Sequence, residues 1–248
     1  MIIDKSYDIF IVSAEKDYNK LPYVIRAARE NLRDFTGELV VVTPTALPMS
    51  IEGVRVLRDE EVLPIDRTRF PHRPNWTFQQ FLKLFQDVTT SDSYLVIDAD
   101  IIINRPLSML EGTTPILYLG IDQMHPPYFE FMKKIIHLRR SYDYTFINEF
   151  MLMNKKIVNC MLAPLGDDYM QFYEEAVRIM HAECYLSEFE LYGNYVMQNF
   201  PELYRTKKIT SERNGVPGRP YTVSEIESVV SRMRDRPVDV FTMHSWDI

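Results

Sequence analysis

The chain has 248 residues, of which 46% are apolar and 25% are charged, the composition of an ordinary globular protein. Its formal net charge of −7 argues against a nucleic-acid-binding protein, which would present a basic face. No uninterrupted apolar stretch approaches the ~18 residues that a membrane span needs, so we expect no transmembrane segment. A phosphate-bearing ligand would therefore be met locally, by a metal ion or by a few Lys and Arg side chains.

Length and cysteine usage bear on domain organisation and compartment. One domain covering residues 1–248 is expected, because the sequence shows no internal repeat and no linker-like composition. Cys160 and Cys184 lack the spacing of metal ligands, and so few cysteines are typical of a protein from a reducing compartment. A single disulfide between them is the alternative. The N-terminus carries no signal-peptide pattern, and we therefore expect a cytoplasmic protein.

The first half of the chain predicts a parallel sheet. Apolar, β-branched runs at residues 7–13 and 39–43 predict buried strands, and residues 20–33 between them show the apolar spacing of a helix. A strand, a helix and a second strand in this order form a βαβ unit. A further helix is predicted over residues 76–88, with a polar face that collects Trp76, Gln79, Gln80 and Lys83.

The second half predicts further strands at residues 115–120, 146–154 and 238–243, and a helix at 187–199. The segment 211–220 is rich in turn residues. We expect it to be a mobile loop, with the composition of a lid that closes over a ligand.

Two aspartates end the most strongly predicted strand. The run Tyr94-Leu-Val-Ile97 is apolar throughout, as expected for a strand covered on both faces, and Asp98 and Asp100 follow it. In parallel sheets, ligands sit beyond the carboxyl ends of the strands. Two buried like charges need compensation, which a hard divalent cation provides. The alternative is an ordinary turn or helix cap.

His244 is the second candidate metal ligand. It lies just past the last predicted strand, so it is expected near the same sheet edge as the two aspartates. A neutral imidazole beside carboxylates would favour Mn²⁺ over Mg²⁺. A surface or turn histidine is the alternative.

Several motifs occur together in one order: the Asp98-Ala-Asp100 strand end, the preceding Trp76-x-x-Gln79-Gln80-x-x-Lys83 helix, and the late His244. Two further segments accompany them, Phe146-Ile-Asn-Glu-Phe-Met-Leu-Met-Asn154 and Ser187-Glu-Phe-Glu-Leu-Tyr-Gly-Asn-Tyr195. Together they resemble GT-A-type glycosyltransferases, and more narrowly a microbial glycosyltransferase-like family with a Gln-Gln-x-x-Lys helix. The resemblance runs from the first strand to His244. It implies a single-domain α/β GT-A (Rossmann-like) fold, with a mostly parallel central sheet flanked by helices.

The resemblance also implies roles for the metal candidates. Asp100 would be the main protein ligand of a Mn²⁺ (or Mg²⁺) ion, Asp98 would meet the ribose or sugar as well as the metal, and His244 would complete the coordination. The donor would be a nucleotide sugar, most plausibly a UDP-sugar, and the acceptor a hydroxyl of a glycan or related molecule. A hexosyltransferase is the expected activity.

Other polar residues are candidates for contacts with the donor. Ser13 and Asp17 follow the first strand and could hydrogen-bond a uracil or ribose; an ordinary strand-to-helix loop is the alternative. Lys83 could neutralise a phosphate, and Gln79 and Gln80 suit sugar hydroxyls because amides both donate and accept. A solvated helical face is the alternative for these three. Arg213 or Arg219, in the predicted lid, could reach the diphosphate.

The catalytic base is sought among two glutamates. Ser187 followed three residues later by Glu190 forms a capping box, so Glu190 could simply tie off its helix. Glu188 would then be free to point into the crevice. An inverting transfer needs a carboxylate to take the acceptor proton, with Glu188 the first choice and Glu190 the second. A retaining enzyme could need neither.

Two other functions compete with this interpretation. A non-catalytic nucleotide- or glycan-binding protein could keep the same fold without turnover. A phosphatase of the haloacid-dehalogenase type also uses a strand-end Asp-x-Asp. In that class the aspartate strand lies near the N-terminus, whereas here it lies about a hundred residues into the chain.

Overall fold

The computed structural model describes residues 6–120, 125–140, 142–166 and 168–246. Its strands are β1 (Asp8–Val12), β2 (Leu39–Thr43), β3 (Arg55–Arg58), β4 (Ser93–Asp98), β5 (Ile101–Ile103), β6 (Leu110–Glu111), β7 (Thr114–Leu119), β8 (Phe150–Asn154), β9 (Arg205–Lys208), β10 (Ser211–Pro217) and β11 (Val240–Trp246). Its α-helices are α1 (Leu21–Asn31), α2 (Asp59–Val62), α3 (Pro74–Phe85), α4 (Pro126–Ile136), α5 (Lys155–Leu162), α6 (Tyr169–Ile179), α7 (Glu188–Asn199) and α8 (Val223–Met233).

A five-stranded sheet in the order β3-β2-β1-β4-β8 forms the centre of the fold. The first four of these strands are parallel, and β8 runs antiparallel to β4. The βαβ unit predicted at the N-terminus is present as β1, α1 and β2, with β1 in register with β2. The expected α/β class, with a mostly parallel central sheet flanked by helices, is confirmed.

Alternation along the central strands divides the apolar core between the two faces of the sheet. Phe10 and Val96 point to the face covered by α3, α4, α6 and α7, together with Met151 of β8. Ile11 and Ile97 point to the other face, against α1, α8 and β11. Because both faces are covered, the strands carry nearly continuous apolar runs.

Two smaller sheets flank the central one. In the first, β10 pairs in parallel with β11, and β11 pairs antiparallel with β5. In the second, β7 pairs antiparallel with β6 and in parallel with β9. The prediction of a mobile loop at 211–220 was wrong over most of that segment, because residues 211–217 form β10. Backbone pairing with β11 overrides the turn-rich composition.

Two strand boundaries also differ from those predicted. The strand expected over 146–154 begins only at Phe150, because Glu149 has φ +66° and so interrupts extended backbone. The last strand continues past residue 243, so His244 lies within β11 instead of just beyond a strand. Of the helices in the described part of the chain, none is long and apolar enough to cross a membrane.

Candidate active site

The turn between β4 and β5, which carries Asp98 and Asp100, is where three strand pairings converge. The parallel register of β1 sets Val12 beside Asp98, so the loop after β1 begins next to the acids. Antiparallel pairing of β8 with β4 brings in Glu149, whose carbonyl accepts from the Asp98 amide at 2.8 Å. Pairing of β11 with β5 sets Thr242 opposite Ile101, so the residues of β11 that follow Thr242 lie beside the acid turn. There the Met243 amide donates to the Asp100 carbonyl at 2.8 Å.

His244 lies between two carboxylates at this turn. Its Nδ1 is 3.1 Å from Asp100 Oδ2, and its Nε2 is 3.1 Å from Glu149 Oε1. Burial opposes the charged imidazolium, but the hydrogen bonds to Asp100 and Glu149 outweigh it and raise the pKa of His244 to about 10. Burial also acts to raise the pKa of Asp100, yet the hydrogen bond and charge of His244 hold it below its usual value.

Lys83 provides the corresponding cation for Asp98. Its Nζ lies 2.6 Å from Asp98 Oδ1 and 2.7 Å from Glu188 Oε1, and its side chain is almost wholly buried. These two carboxylates outweigh the effect of burial, so the pKa of Lys83 is raised. For Asp98, burial is the largest influence; together with the charges of Glu188 and Asp100, and against Lys83, it raises the pKa to about 7.

One face of α3 lines the approach to these groups. Arg73, Trp76, Gln80 and Lys83 are spaced by three, four and three residues, which places them along one side of the helix. The opposite side is fixed in the core by Phe78 and Phe81. Gln80 and Lys83 are buried, so the alternative of a solvated helical face does not apply to them.

The loop after β1 holds a second buried ion pair. Lys20 Nζ lies 2.6 Å from Asp17 Oδ1 and donates to Ser245 Oγ at 3.0 Å. Burial raises the pKa of Asp17. Lys16 donates to the Ser245 carbonyl at 3.0 Å, which ties this loop to β11. The Ser13 hydroxyl donates to the neighbouring Ala14 carbonyl.

A cleft of about 370 Å³ opens at this point. Nine of the residues predicted for the site line it: Asp17, Gln79, Gln80, Lys83, Asp98, Asp100, Glu188, Arg213 and His244. Ser13 and Glu190 are not among its lining residues. Residues from both halves of the chain therefore meet in one place, as the strand-end argument expected.

Glu190 is held in the core behind the cleft. Its carboxylate accepts from the Thr145 hydroxyl, from the Phe146 amide at 3.2 Å and from Asn194 Nδ2 at 2.9 Å. Burial raises its pKa. The Ser187 hydroxyl accepts from the Glu190 amide at 3.4 Å, which is one half of the expected capping box, while the Glu190 carboxylate bonds Thr145, Phe146 and Asn194. These contacts tie the start of α7 to the segment before β8.

The structure adds lining residues that the sequence had not placed together. Glu149 falls within the strand predicted over 146–154, but its backbone is left-handed and its carboxylate lies 3.1 Å from His244 Nε2. Lys16 and Arg73 also line the cleft and had not been singled out, whereas Arg213, which had been, lines it from strand β10 and not from a lid loop. Only Arg73 carried a usable signal, at spacing three before Trp76 on the polar face of α3.

The donor types fit a divalent cation, although the side chains are engaged with one another. In the described residues, no group of three or more His, Cys, Asp and Glu side chains is arranged to hold a metal ion. Lys83 pairs with Asp98, while Asp100 and Glu149 pair with His244. Glu149 Oε2 is nevertheless buried with no hydrogen-bond partner in the described part of the chain. Carboxylate oxygens and an imidazole nitrogen suit Mn²⁺ or Mg²⁺.

Comparison with known proteins gives one family and a number of distantly similar structures, of which two are described below. The model of DUF6492, a family of unknown function, matches residues 37–240. No curated protein matches the chain. It is similar to the galactosyltransferase LgtC in complex with donor and acceptor sugar analogs, at 12% identity and a TM-score of 0.47, over 95% of this chain and 86% of that chain. It is also similar to an active-site mutant of LgtC, at 14% identity and a TM-score of 0.49, over 96% and 88%. Similarity this distant says nothing about a shared substrate.

Proposed function

We propose that this chain, which belongs to the DUF6492 family of unknown function, is a metal-dependent glycosyltransferase in which residues 1–248 act as one domain. It would transfer a sugar, most plausibly a hexose from a UDP-sugar, to a hydroxyl of a glycan or related acceptor. One observation carries the proposal: acids from the end of a parallel strand, a late histidine and the Gln-Gln-x-x-Lys face of α3 all line a single cleft. Each of these groups has a function in binding or activating a nucleotide sugar.

Asp98, Asp100 and His244 would hold the cation. When bound, that cation would screen the negative charge that develops on the departing diphosphate. The protein supplies the remaining contacts to the donor. Asp17, beside the loop after β1, would hydrogen-bond the ribose or base, and Ser13 would support that loop from behind.

The donor sugar would lie along α3. Gln79 and Gln80 offer amide groups that both donate to and accept from hydroxyls. Lys83 and Glu188 form a buried ion pair whose outer atoms face the same space, and such charged groups bind sugar hydroxyls strongly. Their position between the acid turn and the start of α3 matches a sugar that extends away from the diphosphate.

Glu188 is the proposed base for an inverting transfer. The acceptor oxygen would attack the anomeric carbon and form the new C–O bond, while the bond from that carbon to the diphosphate oxygen breaks. Glu188 would receive the acceptor proton, and the nucleoside diphosphate would leave with the bonding electron pair. Glu188 is 1% exposed and lines the cleft, so it can act only on a group already bound there. Glu190, the second choice, is occupied by three donors outside the cleft.

UDP release from a panel of UDP-sugars tests the proposal, with Mn²⁺, with Mg²⁺ and with chelator present. We expect metal-dependent release with a particular sugar, and its loss in Asp100→Ala. Asp87→Ala is the matched control, because Asp87 is exposed, pairs with Lys155 and does not line the cleft.

Other outcomes would select the competing functions. Mn²⁺-dependent UDP binding without release, with acceptors also supplied, would indicate a binding protein. Hydrolysis of p-nitrophenyl phosphate would indicate a phosphatase. If the protein neither binds UDP nor releases it from any UDP-sugar, the assignment to UDP-sugars is overturned.

A further inference from the structure

The cleft continues past the sugar-binding residues to an end formed by Arg73, Trp76 and Tyr128. Pro74 and Lys83 are nine residues apart, which at 1.5 Å per residue places them about 13.5 Å apart along the axis of α3, and Arg73 directly precedes Pro74. A donor that begins at the acid turn and carries one hexose would lie in the part of the cleft nearest Lys83. The end at Arg73 is therefore open to a second molecule.

Arg73 is placed for anion recognition. Its guanidinium carbon lies 4.6 Å from the centroid of the Trp76 ring, and the residue is exposed. A guanidinium that interacts with an aromatic ring through its positive charge does not use its N–H groups as hydrogen-bond donors to another residue, so they are available for a carboxylate or phosphate. No described residue supplies the Arg73 guanidinium with a hydrogen bond or an ion pair.

The backbone at Arg73 is held in an uncommon conformation. Its φ of 44° and ψ of 60° are left-handed, directly before Pro74 and at the start of α3. A bulky residue is strained in this region, and a following proline restricts it further. Such a conformation persists because the packing of α3 determines it, and it fixes the direction in which the side chain leaves the helix.

Aromatic and neutral groups surround this end of the cleft. Trp76 and Tyr128 are stacked at 16° with ring centroids 6.3 Å apart, and Tyr185 packs edge-on to both. Burial lowers the pKa of His125, and the charge of Arg73 adds to the effect. The centre of the cleft, by contrast, carries Asp98, Asp100, Glu149 and Glu188. Those four carboxylates are paired with Lys83 and His244, whereas no described carboxylate pairs with Arg73, so an anionic group would bind Arg73 without displacing an ion pair.

We propose that this end of the cleft is the acceptor subsite, and that it takes a sugar ring bearing a negatively charged group, a carboxylate or a phosphate. The inference rests on the proposed function, since it assigns the second substrate of the same site. Arg73 would bind the charged group, while the rings of Trp76 and Tyr128 would contact the sugar ring. The acceptor hydroxyl would then face Glu188, which lines the same cleft.

Binding of matched probes tests the proposal, measured by ligand-observed NMR titration on protein supplied with UDP and Mn²⁺. The probes are methyl glucuronide, methyl glucoside 6-phosphate and neutral methyl glucoside. We expect at least one charged probe to bind about 10-fold or more tighter than the neutral one, as for a charge-assisted hydrogen bond. The better of the two charged probes identifies the anion as carboxylate or phosphate.

Variants locate the effect. Arg73→Gln should reduce the preference for the charged probe to about 2-fold or less, and Arg73→Lys should restore only part of it. Arg69→Gln is the matched control, because Arg69 pairs with Glu174 outside the cleft. Trp76→Ala should weaken all probes that bind and leave their ratios unchanged.

Any of three results would overturn the inference. The wild type could bind charged and neutral probes with equal affinity, it could bind neither charged probe, or the preference for the charged probe could survive in Arg73→Gln. Metal-dependent UDP release, measured separately, reports on the proposed function. Release without charge selectivity overturns only the acceptor assignment. Selectivity at Arg73 without UDP release or UDP binding overturns the glycosyltransferase, and with it the identification of this anion site as an acceptor subsite.

Discussion

At the scale of single residues, the two strand-end aspartates do not share one environment. Asp98 is paired with the buried ammonium of Lys83, whereas Asp100 is paired with the ring of His244. The sequence argument required a cation to compensate two adjacent buried acids, and the protein supplies one for each from its own side chains. A bound metal would therefore compete with existing ion pairs instead of filling an uncompensated site.

Glu188 and Glu190 illustrate how two similar residues separate in function. Glu188 lines the cleft with Lys83, while Glu190 accepts three hydrogen bonds in the core. We predict that Glu188→Gln lowers sugar transfer by about 10²–10⁴-fold, as expected for loss of a general base. Glu190→Gln should instead lower the free energy of unfolding by about 1–3 kcal/mol. The new NH₂ group is a donor, and it would face the hydrogen-bond donors that the Glu190 carboxylate now accepts from.

Turnover and urea unfolding of both variants check this separation, with exposed Glu183→Gln as the reference substitution. Full turnover in Glu188→Gln would remove Glu188 as the base. An unchanged unfolding midpoint in Glu190→Gln would show that its hydrogen bonds contribute little.

At the scale of elements, α7 and the segment before β8 form one packed unit. Gly193 lies so close to Phe146 that a Cβ on it would be 2.2 Å from the aromatic ring, so no larger residue fits without rearrangement. The Tyr192 hydroxyl accepts from the Asn154 amide at 2.9 Å. The two sequence segments noted as separate motifs thus contact each other, and their packing sets the position of Glu188 at the helix start.

Asp8 ties the beginning of β1 to the turns that precede β2 and β4. Its carboxylate accepts from the Glu38 amide and the Ser91 amide, each at 2.8 Å, and from the Thr90 hydroxyl at 3.0 Å. Burial acts to raise the pKa of Asp8, but the hydrogen bonds, led by those from the Ser91 and Glu38 amides, outweigh it and lower the pKa below the ordinary value of 3.8. The folded state therefore favours the ionised carboxylate.

We predict that Asp8→Asn lowers the free energy of unfolding at pH 7 by about 1–3 kcal/mol, because one acceptor oxygen is replaced by a donor. A lowered folded-state pKa stabilises the protein above the unfolded-state value, and this contribution is lost as the pH falls through 3.8 and then through the folded pKa. The difference between wild type and variant should narrow over that range. Urea titrations at pH 7, 4 and 3 measure the free energy of unfolding of both proteins. If the difference between them stays constant with pH, the lowered pKa assigned to Asp8 is contradicted.

At the scale of the whole molecule, the cleft depends on all three layers of the fold. The central sheet provides the acid turn, α3 and α7 form one wall, and β10 and β11 form another. A ligand that contacts all of these elements should raise the free energy of unfolding of the whole domain, because it binds the folded state and not the unfolded state.

We predict that UDP and Mn²⁺ together raise the melting temperature, by an amount equivalent to about 2.7 kcal/mol at one hundred times the dissociation constant. Either component alone should produce a smaller shift, because the diphosphate and the cation would be ligands to each other. Scanning calorimetry on wild type and Asp100→Ala measures the effect. An equal shift in the variant would place UDP outside the acid turn.

Much of the fold followed from local sequence. The apolar runs of β1, β2 and β4 identified buried parallel strands because both faces of such strands are covered. The polar face of α3 was read correctly from its spacing. The prediction of a loop at residues 211–217 was wrong, because the pairing of β10 with β11 is a long-range contact without a local sequence pattern. The prediction of a strand at residue 149 was wrong because Glu149 has a left-handed backbone, which no local pattern indicates.

The sequence by itself determined the α/β class and the location of two acids at a strand end, because periodicity and strand-end position are local properties of the chain. Tertiary structure alone decided which partners those acids meet. Lys83 reaches Asp98 through helix packing, and His244 reaches Asp100 through antiparallel pairing of β11 with β5, 144 residues along the chain. Arg73 likewise joins the cleft only through the placement of α3. Contacts of this kind depend on the register and packing of distant segments, which no local pattern of residues specifies.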